Sequence, residues 1–204
     1  MNSGQTAERV YDAIKLRIRN RAFRPGERLD PAPLASELMS SVTPVRDALN
    51  RLTGEQLVET RTSDGFRLPP VDEPWLKDLY DWNLEVLMLA IRAWPGRIEP
   101  PVRPREADPA LLVASHFHAI GERSANAEHC HQIENLNDRL HAVRLCEGAV
   151  LDDATSELAA IGAAIHDDRR AGLRRLVVGY HRRRRRAAAE IVRALYRAPP
   201  IIAE

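Results

Sequence analysis

Apolar residues recur at helical spacing along most of the chain. Val10, Ile14 and Ile18 lie four residues apart, which predicts a first helix from Thr6 to about Ala22. The Pro25-Gly26 pair is a turn signal that ends this helix. The chain is therefore expected to begin with an amphipathic helix.

Two more helices are predicted directly afterwards. Asp30 is a suitable N-cap for the second, and Pro31 is tolerated at its first position. The third begins at Ser41 or Thr43, and its apolar residues would face a small core: Val45, Ala48, Leu49 and Leu52. Its opposite face would then carry Thr43, Arg46, Asp47 and Asn50.

The pattern changes after the third helix. Residues 57–60 and 66–68 have strand character, and Asp64-Gly65 suits a turn between them. Prolines then mark a linker over residues 71–74. Residues 1–70 are therefore predicted to form a helix-turn-helix followed by a wing.

Beyond the linker the pattern is helical throughout. An apolar stripe runs from Leu76 to Trp94, and a proline-rich loop follows over residues 95–109. Four further helices are predicted over residues 111–125, 127–147, 152–167 and 170–197. The fold class is mainly α: an N-terminal winged helix-turn-helix followed by an all-helical bundle domain of residues 75–204.

Composition excludes several classes of protein. The 204 residues are 44% hydrophobic and 29% charged, as is usual for soluble globular proteins. No apolar run approaches the ~18 residues that a membrane span needs, and no signal peptide is apparent, so a cytoplasmic protein is expected. We find no nucleophile motif or phosphate loop and predict that the chain is not an enzyme.

The third helix has the chemistry of a DNA-reading helix. A helix fits the major groove, where each base pair presents a distinct pattern of donors and acceptors. Ser41 and Thr43 could grip phosphates, Arg46 could reach a phosphate or guanine, and a glycine in the wing would allow close approach. The predicted DNA-binding residues are Ser41, Thr43, Arg46, Asn50, Gly65 and Arg67.

The first third of the chain resembles the GntR family of bacterial transcription regulators. The resemblance runs from about Ala7 to Leu68 and rests on the segments PGERL, LASEL, TPVRDAL and QLV and on the wing glycine. The TPVR form, followed by a helical half, points to the FadR-like branch with an FCD-type C-terminal domain. The resemblance implies a DNA-binding regulator with an effector-binding and dimerisation domain.

The chain departs from the family pattern at several DNA-facing positions. Ala32 and Val42 stand where the family usually has arginine, and Ser63 and Asp64 where its wing often has basic residues. Met39 occupies a turn position usually held by glycine, and a positive φ there would store strain on the order of 1 kcal/mol or more. We expect weaker or differently specified operator binding, with Arg46 more important than usual and with the basic residues of the first helix as candidates to compensate.

Five histidines within 26 residues raise the question of a metal site: His116, His118, His129, His131 and His141. No two of them have the i, i+3 or i, i+4 spacing of a helical metal pair. The resemblance implies a site to which His118 and His181 would contribute, but Ala114 replaces its aspartate and a second histidine is missing near residues 156–158. No cofactor is therefore predicted, and a divalent metal is possible but disfavoured. The remaining alternatives are structural histidines and a metal-free effector pocket lined by His118, His181 and Asn83.

An unbroken run of arginines, Arg182–Arg186, covers about 400° of a helix and so cannot form one solvated stripe. Some of them are expected to face an anion or to pair with acids such as Asp152, Asp153, Asp167 or Asp168.

The predicted function is transcription regulation, most simply repression, by a homodimer that reads a pseudo-palindromic DNA operator. The resemblance implies that the helical domain responds to a small-molecule effector such as an organic acid. The alternative is an interaction protein with weakened DNA specificity that acts through another regulator, which the missing basic residues would explain.

Overall fold

A computed structural model describes residues 3–61, 65–96 and 108–201. The chain divides into an N-terminal unit, residues 1–71 with 198–204, and a helical unit, residues 72–197. This division differs from the predicted one in its last residues, which pack with the N-terminal unit. Ile201 donates its backbone N–H to the Arg21 carbonyl at 3.0 Å, and the Arg21 guanidinium donates to the Pro199 carbonyl at 3.2 Å.

Three helices form the frame of the N-terminal unit: α1 (Ser3–Arg19), α2 (Pro31–Glu37) and α3 (Val42–Gly54). The predicted N-cap of α2 is confirmed, since the Asp30 carboxylate accepts from the Ala32 N–H at 3.1 Å. The periodic apolar positions of α1 and α3 meet in one core, whose fully buried members include Val10, Ile14, Val45, Leu49 and Leu52.

A three-stranded antiparallel sheet completes this unit. Its strands are β1 (Arg28–Leu29), β2 (Glu59–Arg61) and β3 (Gly65–Arg67), in the order β1-β3-β2. The central Phe66 pairs with Leu29 on one side and Thr60 on the other. Two strands lie within two residues of their predicted bounds, whereas β1 was not predicted, and Asp64 of the predicted turn lies outside the described residues.

The helical unit consists of α4 (Glu73–Arg92), α5 (Pro109–Glu122), α6 (Ala127–Glu147), α7 (Ala154–His166), α8 (Arg170–Arg186) and α9 (Ala188–Arg197). Asp72, Asp108 and Asn126 cap α4, α5 and α6 by accepting backbone N–H groups. Across the part of the chain that the structure describes, no helix is both long and apolar enough to span a bilayer.

The last predicted helix is wrong as a single element, because the chain turns at Ala187 between α8 and α9. The turn allows the apolar face of α9, formed by Ala188, Ile191 and Leu195, to become buried. This face packs against α6 and α4. The burial of this apolar face thus outweighs the helix propensity of the residues around Ala187, which by itself would favour one continuous helix.

A buried arginine links four helices of this unit. The Arg184 guanidinium on α8 donates to Glu147 of α6 and to Glu157 of α7, each at 2.7 Å. The second oxygen of Glu147 accepts from the Tyr80 hydroxyl of α4 at 2.8 Å. Arg184 is 1% exposed, so these carboxylates neutralise a charge that water cannot reach.

The arginine run therefore pairs with acids, as predicted, but the predicted partners are wrong. Arg184 uses Glu147 and Glu157, and Arg185 pairs with Asp81 at 2.9 Å on the surface. Asp167 and Asp168 pair instead with the nearby Arg169 and Arg170. The missed partners come from other helices, which local sequence does not reveal.

Replacing Arg184 by alanine should destabilise the helical unit by roughly 3–5 kcal/mol, because it leaves buried carboxylates without a counter-ion. Arg185→Ala is a matched control on the next residue, and loss of its exposed pair with Asp81 should cost less than about 1 kcal/mol. Chemical denaturation followed by circular dichroism measures both free energies. Equal losses in the two variants would contradict the role given to Arg184.

Candidate nucleic-acid interface and effector site

Helix α3 presents a polar face to solvent. Its buried residues anchor one side of the helix, while Ser41, Thr43, Arg46 and Asn50 are exposed. Ser41 is the N-cap residue, but its side chain makes no capping hydrogen bond. The first backbone N–H groups of the helix and the Ser41 hydroxyl are therefore available to an anion such as a DNA phosphate.

Arg46 and Arg51 lie on the same helix but in different environments. Arg51 is held against α1, where it donates to the Glu8 carboxylate at 3.0 Å and lies 3.6 Å from the centre of the Tyr11 ring. Arg46 is exposed and makes no hydrogen bond or ion pair with any residue that the structure describes. Of these two arginines, only Arg46 is therefore free to contact DNA.

The wing supplies a second candidate surface. Gly65 is exposed and has a φ of 68°, in the left-handed region that favours glycine. Arg67 is less available than predicted, since it is half-buried and its Nε lies 3.9 Å from a Glu59 oxygen. Arg61 on β2 is an exposed cation that our sequence analysis missed.

In the turn between α2 and α3, Met39 adopts a left-handed conformation that usually favours glycine. Its φ is 49°, and its side chain is 89% exposed. The Met39 N–H bonds to the Ser36 carbonyl and the Ser40 N–H to the Ala35 carbonyl, the two bonds of a Schellman motif. These bonds impose the left-handed conformation on a residue with a Cβ, which stores on the order of 1 kcal/mol of strain.

The basic residues of α1 are already engaged within the unit. Lys15 pairs with Glu55 at 2.9 Å, Arg17 pairs with Glu37 at 2.6 Å, and Arg9 donates to the Leu38 carbonyl at 3.1 Å. These contacts attach α1 to α2 and α3 and to the residues directly after them. The structure therefore does not favour the expectation that α1 compensates for the missing DNA contacts.

In the helical unit, Asn83 and His181 form a fully buried pair. The His181 Nδ1–H donates to the Val177 carbonyl at 2.8 Å, and Nε2 lies 2.9 Å from the Asn83 side-chain amide. Burial lowers the pKa of His181 to about 3, and the nearby charges of Arg184 and Arg144 act in the same direction. The ring is therefore neutral, so Nε2 accepts and the Asn83 amide must turn its NH₂ group toward it.

The structure does not bring His118 to this pair, which corrects the predicted effector trio. His118 is half-exposed, and its two ring nitrogens each lie 3.3 Å from a carboxylate oxygen, of Glu122 and of Glu134. The preceding residue, Phe117, is the one that points inward, and its ring stacks on His181 with centroids 5.8 Å apart. The buried side of α5 includes His116 and Phe117 but ends before His118, which lies about 100° further around the helix.

A cavity of about 540 Å³ opens between helices of the unit. Its walls combine apolar and charged side chains, among them Asp108, Val113, Arg144, Glu147, Leu158 and Arg184. Arg144 is 4% exposed and donates from Nη1 to the Asn137 amide oxygen at 2.9 Å. Its Nε and Nη2 are buried and have no hydrogen-bond partner among the described residues, so two donors of this guanidinium are unused.

Sequence reasoning missed Arg144, although a signal for it was present. Arg144 follows Asn137 by seven residues and Leu140 by four, so it lies on the apolar stripe of α6. A charged residue at a core-facing position of a helix is rarely buried without a partner. It is therefore a candidate functional residue from sequence alone.

The first unit is similar in sequence to known proteins. Residues 6–68 match the sequence model of the family described as bacterial regulatory proteins, gntR family. The Nta operon transcriptional regulator of Aminobacter aminovorans is 41% identical over 70 residues, which cover 34% of this chain and 33% of that protein. The HTH-type transcriptional repressor GlaR of Escherichia coli (strain K12) is 31% identical over 83 residues, 40% of this chain and 38% of that protein. The matched segment thus spans only about a third of these relatives.

Solved structures extend the likeness to the helical unit. E. coli McbR/YncC has a TM-score of 0.63 and 20% identity, and the match covers 93% of this chain and 99% of that one. A putative transcriptional regulator GntR from Rhodococcus sp. RHA1 has a TM-score of 0.60 and 19% identity, with 92% and 98% covered. These likenesses show the fold, and they confirm the predicted class of a winged helix-turn-helix followed by a helical domain.

Acid should destabilise the helical unit through His181. Its pKa is near 3 in the folded chain and near 6.5 in the unfolded one, so the unfolded chain binds the proton more readily between these values. Stability from this group is complete above pH 6.5 and should fall by about 2 kcal/mol between pH 8 and pH 5. His181→Gln should remove this part of the pH dependence of unfolding, whereas His131→Gln, at an exposed site, should retain it. A pH dependence unchanged in His181→Gln would show the assignment to be wrong.

Proposed function

We propose, from the GntR-family winged-helix domain that residues 6–68 form, that the chain is a DNA-binding transcription regulator. The observation that carries the proposal is the exposed, unpaired Arg46 on the polar face of α3. In a winged helix-turn-helix, this face enters the major groove, where an arginine can bind guanine through O6 and N7.

The contacts around Arg46 support the same mode of binding. Ser41 and the N-terminus of α3 would hold a phosphate and so set the depth of the helix in the groove. Asn50 lies one turn further along the exposed face, and an asparagine there suits adenine. Gly65 would let the wing backbone approach the neighbouring groove.

We further propose that two copies act together. Trp82 and Leu89 lie seven residues apart on α4 and are 48% and 41% exposed, which places two large apolar side chains on one open face of a helix. Burial of such a face in a two-fold dimer would place two DNA-binding domains on the two halves of a palindromic site. GlaR is a transcriptional repressor, and we propose repression for this chain as well.

We propose that the cavity at Arg144 binds the effector, a small organic acid. Its volume of about 540 Å³ lies within the range of small-molecule sites, and its walls are partly apolar. The free Nε and Nη2 of Arg144 would donate two parallel hydrogen bonds to one carboxylate. Arg184 is not expected to share this role, because Glu147 and Glu157 already bind it.

Selection from a random-sequence DNA library, followed by fluorescence anisotropy, tests the DNA-binding proposal with the full chain. The full chain should enrich a palindromic site, and Arg46→Ala should weaken binding to it by about 10- to 100-fold if the residue reads a base. If Arg46 contacts a phosphate instead, the loss should be equal for all sequences and the salt slope should fall by about one.

Arg193→Ala is the matched control, because Arg193 lies on α9 and its side chain is 63% exposed. This variant should bind as the unchanged chain does. The proposal would be rejected if the full chain enriched no sequence. It would also be rejected if Arg46→Ala bound DNA as tightly as the unchanged chain does. Either result would favour an interaction protein that acts through another regulator.

A thermal-shift screen of mono- and dicarboxylic acids tests the effector site. A ligand present at 100 times its Kd should stabilise the helical unit by about 2.7 kcal/mol, which raises its Tm by a few degrees. Arg144→Met should lose this shift, since it keeps an unbranched apolar stem but not the charged guanidinium. Arg193→Met should keep the shift. A shift retained in Arg144→Met would place the acid elsewhere.

A further inference from the structure

A second polar cluster of the helical unit lies outside the cavity. It consists of His118 on α5 and Cys130 and Glu134 on α6, all of them partly exposed. The His118 Nδ1 lies 3.9 Å from the Cys130 Sγ and 3.3 Å from a Glu134 carboxylate oxygen, and the Sγ lies 4.0 Å from the same oxygen. Among the residues that the structure describes, this is the one group of three potential ligands close enough to hold a metal ion.

The spacing of these atoms suits a tetrahedral zinc ion. Zinc binds sulfur at ~2.3 Å and nitrogen or oxygen at ~2.0–2.2 Å, which puts tetrahedral ligand atoms roughly 3.3–3.6 Å apart. The distance from His118 to Glu134 already has this value, and the two distances to Cys130 exceed it by only a few tenths of an ångström. Small side-chain rotations would bring all three atoms to one ion.

Close packing of two helices brings the ligands together. A Cβ added at Gly121 on α5 would lie 3.0 Å from the Cys130 Cα, so a side chain there would require the two helices to move apart by a few tenths of an ångström. Gly121 follows His118 by three residues and therefore lies on the same side of α5. The close packing of α5 against α6 thus places Cys130 beside His118.

The other ring nitrogen of His118 has the partner that a metal ligand needs. Its Nε2 lies 3.3 Å from a Glu122 carboxylate oxygen, so an Nε2–H can donate to Glu122 while Nδ1 offers its lone pair. A carboxylate behind a histidine ligand fixes the tautomer and raises its basicity. Glu122 also adds negative charge beside the site, which favours a cation.

We propose that His118, Cys130 and Glu134 bind one zinc ion per chain, with a fourth position open to water. The thiolate selects a borderline-soft ion such as zinc over magnesium or calcium. The Cys130 thiol would release its proton on binding. The ion would fasten α5 to α6 at a surface position and would not involve His181, both of whose ring nitrogens are engaged in the core.

Zinc titration of the full, reduced chain tests this site. Mass spectrometry under native conditions should show one zinc ion per chain, and cobalt in place of zinc should produce a thiolate-to-metal charge-transfer band. Cys130→Ser and His118→Gln each remove a metal ligand and should weaken zinc binding by about 100-fold or more. Glu122→Gln removes only the hydrogen-bond partner of a ligand and should weaken zinc binding by ~10- to 100-fold. The charge-transfer band should vanish in Cys130→Ser.

Matched controls separate this site from other thiols and histidines. Cys146→Ala removes the other cysteine, which is buried, and His131→Gln removes an exposed histidine of α6. Both variants should bind zinc as the unchanged chain does. The proposal would be overturned if the unchanged chain bound no zinc at micromolar metal. It would also be overturned if Cys130→Ser and His118→Gln bound zinc as tightly as the unchanged chain does. His118 would then be a partner of Glu122 and Glu134 only.

Discussion

The buried charge of Arg184 is the constraint on which the arrangement of the helical unit depends. Burying the Arg184 guanidinium costs free energy that paired carboxylates offset, and here those carboxylates come from two other helices. Because Tyr80 binds the second oxygen of Glu147, α4 joins the same network. An apolar side chain at position 184 would tolerate several registers of these helices, whereas the paired charges accept very few.

The same network pairs one of the two cavity arginines with carboxylates and leaves the other with no acidic partner in the part of the chain that the structure describes. Arg184 is neutralised by carboxylates, so an anion in the cavity would have to compete with Glu147 and Glu157 for it. Arg144 is held by the neutral amide of Asn137 and retains two N–H groups without a partner among the described residues. One arginine therefore fixes the helices, and the other remains available to a ligand.

Features set by local chemistry were predictable from sequence, and features set by packing were not. The Asp30 cap and the turn at Met39 both depend on a few adjacent residues: the predicted cap is confirmed, and Met39 has the positive φ that the glycine position of the turn requires. The turn at Ala187 depends on where α9 can bury its apolar face, and the partners of Arg184 lie 27 and 37 residues away. The i, i+4 pairs His118–Glu122 and Cys130–Glu134 were readable, but their meeting depends on close packing at Gly121.

The N-terminal unit uses many of its cations to hold itself together. Lys15, Arg17 and Arg51 all pair with acids of neighbouring segments, which leaves Arg46 as the free arginine of α3. A domain that holds cations in internal ion pairs has fewer of them for phosphates and, on the proposed function, should bind DNA weakly by itself, since each phosphate contact adds to affinity through counter-ion release. Linking two such domains raises affinity only when both can engage their half-sites at once. On the proposed function, the helical units control DNA occupancy because each DNA-binding domain binds weakly by itself. A ligand that changes the distance between the two DNA-binding domains would prevent them from engaging both half-sites at once. The dimer would then lose the greater part of its affinity for DNA.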